Sequence, residues 1–237
     1  MSNGLKVKKR DGRVQNIDLE KMHIMVDAAC QGLAGVSASQ VEIQSGIQFY
    51  DGITTAEIQE ILIRSASDLI DEEHPNYQFV AARLLLFGLR KQLFGLTWDH
   101  PTFYAQITRC VEEGVYDPEV LNNYTEEELN TIGEWIDHDR DLLFTYAGLR
   151  QVVDKYLVQD RSTGEVYETP QFMYMMIATT IFARYPKEFR LSYIRKYYNA
   201  ISKHKINIPT PIMGGVRTPL RQFASCVLVD IDDTLDS

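Results

Sequence analysis

The chain has 237 residues, 45% of them apolar, and a formal net charge of −9. That length suggests one large domain or two modest ones, and that apolar share builds a core, which excludes global disorder. The acidity argues against nucleic-acid or anionic-membrane binding through the whole surface, so any anion site must be local.

Cys30, Cys110 and Cys226 stand far apart with no CxxC pattern. A zinc ribbon or a disulfide scaffold is therefore excluded. The five histidines, His23, His74, His100, His138 and His204, lack metal-ligand spacing, so no bound metal is expected. There is no signal-peptide pattern and no apolar run long enough to span a bilayer, so a cytoplasmic location without membrane partners is the expectation.

In chain order, Leu5, Val7 and Lys9 alternate with Lys6, Lys8 and Arg10, a strand pattern. Asp11-Gly12 signals a hairpin turn, and Val14 to Ile17 form the return strand. Asp18 stands at a helix N-cap. Leu19, Met22, His23, Val26, Ala29, Cys30 and Leu33 follow at helical spacing and predict one buried stripe. Gly35 ends that helix, and Ser37-x-x-Gln40 opens the next with a capping-box pattern. In "FYDGITTAEIQEIL" a glycine turn precedes a second capping box, Thr54-x-x-Glu57, with Ile58, Ile61, Leu62, Ala66, Leu69 and Ile70 on one helical face. Pro75 suits the first turn of a further helix through "NYQFVAARLLLFGLRKQLFG".

From about Thr97 to His204 the pattern is mostly helical, with a third capping box at Thr125-x-x-Glu128. "YLVQDRSTGEVYE" reads as a hairpin turning at Thr163-Gly164. "QFMYMMIATTIFARY" and "LSYIRKYYNAISKH" read as helices whose Met and aromatic residues belong to core. After Lys205 come Pro209, Pro211, Pro219 and the Gly214-Gly215 pair, then an apolar strand from Cys226 to Ile231. A lone strand leaves its ladder groups unpaired, so a partner segment is expected to complete it.

The basic opening is the unusual feature. A hairpin that runs into a helix sets Lys9, Arg10 and Lys21 beside a positive helix N-terminus, with amides from Ile17 to Lys21 pointing outward. That arrangement makes a phosphate site without a glycine-rich loop. The same residues also fit a solvated edge strand that its lysines protect from aggregation. Local physics leaves both readings open.

"VKKRDGRVQNIDLEKM", "QFYDGITTAEIQE" and "YQFVAARLLLFGLRK" together resemble the ATP-cone of ribonucleotide reductase large subunits. "YLVQDRSTGEVYETPQFMYM", "PTPIMGGVRTPLRQFASCVL" and "DTLDS" resemble the segments that follow in the aerobic, class I large subunit. The resemblance implies a mainly α fold with small β-hairpins (α+β). It divides the chain into an ATP-cone at 1–95, a helical region at 96–205, and at 206–237 the beginning of a ten-stranded α/β barrel not completed in this chain.

It also implies ATP and dATP as allosteric effectors, with Mg2+ accompanying the nucleotide. The matching positions are Lys9, Arg10, Gln15, Asn16, Ile17, Asp18, Leu19, Glu20, Lys21, Met22, Thr55, Gln59, Phe87 and Lys91. The lysines would meet phosphates, Thr55 would cap a helix and hold the base, and Met22 and Phe87 would pack around adenine. Gln15 and Asp18 stand where enterobacterial members carry Glu and Asn, and Gln59 where they carry His, so poor discrimination against dATP is expected. Asp18 near phosphates would lower affinity unless it caps the helix.

Cys226 matches one member of the redox-active cysteine pair, with Thr210 and Ser225 at substrate-binding positions, Thr210 near the diphosphate. Asp233, Thr234 and Leu235 match the start of the site that reads deoxynucleotide effectors. The implied activity is ribonucleoside-diphosphate reduction for deoxyribonucleotide synthesis and DNA replication. The implied partners are the C-terminal piece of the large subunit, a radical-generating small subunit, nucleoside diphosphates, and thioredoxin or glutaredoxin. The chain alone is expected to be inactive. A stand-alone nucleotide-sensing regulatory or interaction module without catalysis is the alternative, although repressors that carry a cone also carry a zinc ribbon, for which this chain lacks the cysteines.

Overall fold

A computed structural model describes residues 5–228 and divides them into two units, 5–101 with 137–154, and 102–136 with 155–228.

The first unit opens with β1 (Lys6–Lys8) and β2 (Val14–Asn16), paired antiparallel with Val7 opposite Gln15. Gly12 closes the turn at φ +84°, a conformation a side chain would strain, and the Lys9 amide donates to the Arg13 carbonyl at 2.8 Å. Helices α1 (Leu19–Cys30), α2 (Ala38–Gly46), α3 (Thr55–Asp68) and α4 (Tyr77–Phe94) follow. Residues 137–154 add a 3-10 turn, His138–Leu143, and α8 (Tyr146–Gln151), both against α4. Helix α4 is the unit's core element: Val80, Leu84 and Leu86 are fully buried.

One strand was not anticipated. β3 (Ile53–Thr54) lies parallel to β1, with Val7 opposite Ile53 and Lys8 opposite Thr54, giving the order β2-β1-β3. Two residues are too short for a period-two signal. β1 is therefore central, which removes the edge-strand explanation for its lysines; the exposed edge is β2.

Three local expectations also change. The α1 stripe is narrower, because Val26 and Ala29 are buried while Leu19 and His23 are exposed. Ser37 is the N-cap of α2 without a side-chain bond. Tyr77 takes both groups of that capping box, its hydroxyl accepting from the Ser37 amide at 3.0 Å and donating to Gln40 Oε1 at 2.5 Å. Helix α4 starts at Tyr77 with Asn76 at its N-cap, so Pro75 precedes the helix. The Thr54–Glu57 box is present in full, and it makes Thr54 the cap and Thr55 the first helical residue.

The second unit contains α5 (Phe103–Glu112), α6 (Glu119–Asn123) and α7 (Glu126–Gly133), the last opened by the complete Thr125–Glu128 box. A π-helical turn, Val152–Tyr156, carries the chain into β4 (Gln159–Asp160) and β5 (Glu165–Val166), the anticipated hairpin, with Gly164 at φ +74°. Helix α9 (Pro170–Ile181) is apolar all round and buried from Pro170 to Thr179, a core helix. Against it pack α10 (Lys187–Ser202) and the short α11 (Thr210–Gly215). No strand forms at Cys226–Leu228, where a lone strand was expected; among the described residues no neighbour supplies its ladder bonds.

Candidate functional site

The first site forms where three elements of the first unit bring cations together. Lys9 and Arg10 come from the end of β1 and its turn, Lys21 from the first turn of α1, and Lys91 from the last turn of α4. Local desolvation and, next, the charges of Lys9, Arg10 and Lys21 pull the Lys91 ammonium below its ordinary range. Lys9, Arg10 and Lys91 have no carboxylate partner within ion-pair distance among the described residues. Gathered like charges repel, and a polyanion is the ligand that relieves the repulsion.

Asp18 does not oppose such a ligand with a free charge. Its side chain caps α1, accepting from the Lys21 amide at 3.1 Å, and its second oxygen pairs with the Lys21 ammonium at 3.1 Å. The Lys21 amide, then the Lys21 side chain, hold the Asp18 carboxyl below the usual carboxylate range. This narrows the set of outward amides expected between Ile17 and Lys21. Ile17 donates to the Leu5 carbonyl at 2.8 Å and Lys21 to Asp18, which leaves the amides of Asp18, Leu19 and Glu20.

The pairing of Lys8 with Thr54 sets the start of α3, including Thr55, beside the basic turn. Glu57 closes that end: it accepts from the Thr54 amide and hydroxyl at 2.8 and 2.7 Å and from the Tyr50 hydroxyl at 2.7 Å. Gln59 is tied down instead of reaching outward, its amide donating to the Leu84 carbonyl at 2.7 Å. Gly88 makes room for it, since a Cβ there would lie 3.0 Å from Gln59 Cγ. Phe87 is 2% exposed, with Trp98 edge-on at 4.7 Å, so its ring supports the site from the core. Met22 is half-buried, while Gln15, Asn16, Leu19 and Glu20 are exposed.

The second site lies in the other unit. Thr210 begins α11 and is exposed, and its hydroxyl sits 3.3 Å from the Tyr156 hydroxyl. Ser225 and Cys226 are exposed, with Ser225 Oγ 3.7 Å from Cys226 Sγ. The other thiols are unreactive by environment: burial pushes Cys30 up to about 11 and Cys110 up to about 12. Asp233, Thr234 and Leu235 lie outside the described residues. Among the described residues no group of His, Cys, Asp and Glu is placed to hold a metal ion, and no helix is long and apolar enough to cross a membrane.

The anchor of this second site was not legible in the sequence. Arg217 and Glu168 are both fully buried. Arg217 Nε donates to the two Glu168 oxygens at 3.1 and 3.0 Å, and Nη2 also bonds Glu168. Nη1 reaches the Met213 carbonyl at 2.5 Å and Nη2 the Tyr156 carbonyl at 2.9 Å. Glu168 further accepts from the Tyr116 hydroxyl at 2.5 Å and the Val158 amide at 2.7 Å. Burial opposes the Arg217 charge, but Glu168 outweighs it and raises the guanidinium above its ordinary value. Outside, Arg221 bridges Asp117 at 2.7 Å and Glu119 at 2.6 Å. The two arginines fasten the segment that leads to Cys226.

Comparison with known proteins gives two family matches. Residues 5–92 match the ATP cone domain, and residues 142–221 match the all-alpha domain of ribonucleotide reductase. The chain is 51% identical over its full length to the alpha subunit of ribonucleoside-diphosphate reductase 1 from Salmonella typhimurium and from Escherichia coli, in each case covering 31% of the relative. It is 42% identical to the alpha subunit of Enterobacteria phage T4, over 98% of this chain and 30% of that one. It thus spans about a third of the length of the curated relatives it matches.

Proposed function

We propose, from its similarity to ribonucleoside-diphosphate reductase alpha subunits over about a third of their length, that this chain is the regulatory and entry portion of a ribonucleoside-diphosphate reductase. The observation that carries the regulatory half is the convergence of Lys9, Arg10, Lys21 and Lys91 on the start of α1, with no carboxylate within ion-pair distance of three of them among the described residues. ATP supplies the missing negative charge. Its phosphates, with the Mg2+ that accompanies them, meet the four cations and the Leu19 and Glu20 amides. Thr55 and Met22 border the base, and Phe87 backs the pocket from the core. Gln59 is uncharged and its amide is bound to the Leu84 carbonyl, so it offers neither charge nor a free donor toward the phosphates, and ATP and dATP are held with similar strength. Calorimetric titration of both nucleotides checks this. Much tighter dATP binding contradicts it.

Cys226 is one of two thiols that supply reducing equivalents. The 2′-hydroxyl of the substrate departs as water while the cysteine pair closes to a disulfide, later reopened by thioredoxin or glutaredoxin. Thr210 and Ser225 hold the nucleoside diphosphate, and Asp233, Thr234 and Leu235 begin the deoxynucleotide effector site. A radical step requires a shielded, positioned substrate, which the exposed Cys226 of this chain does not offer. Turnover therefore requires the polypeptide corresponding to the remaining two thirds of the relatives and a radical-generating small subunit. Mixing the three and assaying CDP reduction tests this. Activity is expected only in the complete mixture, and activity without the remaining two thirds contradicts the proposal.

A further inference from the structure

Building on the reading of Thr210 as a diphosphate contact, we propose that Tyr156 is a positioning residue for the substrate diphosphate, aiming the Thr210 hydroxyl proton at a phosphate oxygen. The two hydroxyl oxygens are 3.3 Å apart, and Thr210 is exposed, so its hydroxyl has one side on Tyr156 and the other open. A phosphate oxygen only accepts hydrogen bonds. When it takes the Thr210 proton, Tyr156 must be the donor to Thr210 Oγ1, and the bonds run in one direction from tyrosine to threonine to phosphate. A chain of this kind strengthens each of its members.

Both partners are held by one side chain. Arg217 binds the Tyr156 carbonyl at 2.9 Å and the Met213 carbonyl, one turn along α11 from Thr210, at 2.5 Å. Its fork is fixed in turn by Glu168, which also holds the Val158 amide two residues beyond Tyr156 at 2.7 Å. Arg217 thus fixes the backbones that carry the two hydroxyls. Tyr156 also borders a cleft of about 570 Å³ with Lys155, Gln159, Arg161, Thr218 and Gln222. In a chain of net charge −9, the two cations there favour an anionic ligand.

The test is a double-mutant cycle on the assembled large subunit, this chain plus the remaining two thirds, read as CDP affinity by calorimetry. Tyr156→Phe keeps the ring and removes the donor. It is expected to weaken CDP binding about three- to tenfold, leave the thermal midpoint unchanged and leave cytidine, which lacks phosphates, unaffected. In a Thr210→Val background the same change is expected to do nothing further. If Tyr156→Phe binds CDP as the wild type does, or weakens it equally with and without the Thr210 hydroxyl, the inference is overturned while the proposed function stands. If the wild-type assembly binds no nucleoside diphosphate, the functional reading falls and takes this inference with it.

Discussion

The cluster at the start of α1 and the anchor of the second site use positive charge in opposite ways. In the second, Arg217 answers Glu168, Arg190 answers Glu128, and Arg221 answers Asp117 and Glu119. In the first, Lys9 and Arg10 from the β1 turn and Lys91 from α4 are brought together with no carboxylate within ion-pair distance of any of them among the described residues. A matched cation holds a chain in place; an unmatched cluster is an incomplete ion pair awaiting its other half. The difference separates structural from ligand-binding charge better than counting lysines and arginines does, since the chain as a whole is acidic.

The comparison breaks most visibly at the buried pair. Glu168→Gln leaves Arg217 charged and uncompensated in the core, which is expected to destabilise the second unit by about 3–5 kcal/mol. Replacing both residues by apolar ones of similar volume should cost much less. Denaturant titration of the variants followed by tyrosine fluorescence reads both.

Acid is expected to act next, and on the first unit. His100 and His138 stack at 3.8 Å and 4°, beside the buried Arg90–Asp141 pair. Burial, with the neighbouring positive charge, lowers His100 to about 4 and His138 to about 3, against 6.5 for the free side chain. Between pH 6.5 and about 4 the unfolded chain therefore binds protons that the folded pair refuses, so stability falls as pH drops through that window. Unfolding midpoints at pH 7 and pH 5 should differ, and a His100→Gln, His138→Gln variant should flatten the difference.

Smaller effects follow. Thr54→Ala removes the cap of α3 and is expected to cost about 1 kcal/mol, measured by thermal unfolding. Lys91→Gln removes a charge that no carboxylate among the described residues pairs with, and stability should change by no more than about 0.5 kcal/mol. A large loss there would mean that the cluster is structural after all.

What the sequence disclosed followed range. The Thr54–Glu57 and Thr125–Glu128 boxes and the Gly12 and Gly164 turns depend on neighbours a few residues away, and all were readable. Ser37–Gln40 has the same local pattern, yet Tyr77, 40 residues after Ser37, takes both of its groups. β3 escaped notice because two residues carry no period. Of the cation cluster, Lys9, Arg10 and Lys21 follow from a hairpin entering a helix, whereas Lys91 came only through family resemblance. The Arg217–Glu168 pair joins residues 49 apart, and no spacing rule reaches that far.

The most direct measurement is the titration of ATP into this chain and into a variant carrying Lys9→Gln and Lys21→Gln, at low ionic strength where exposed charges count most. The wild type should bind, and the double variant should lose roughly a hundredfold or more in affinity, with an unchanged circular dichroism spectrum. Undiminished binding by the correctly folded variant would contradict the claim that unmatched cations make this unit a triphosphate sensor.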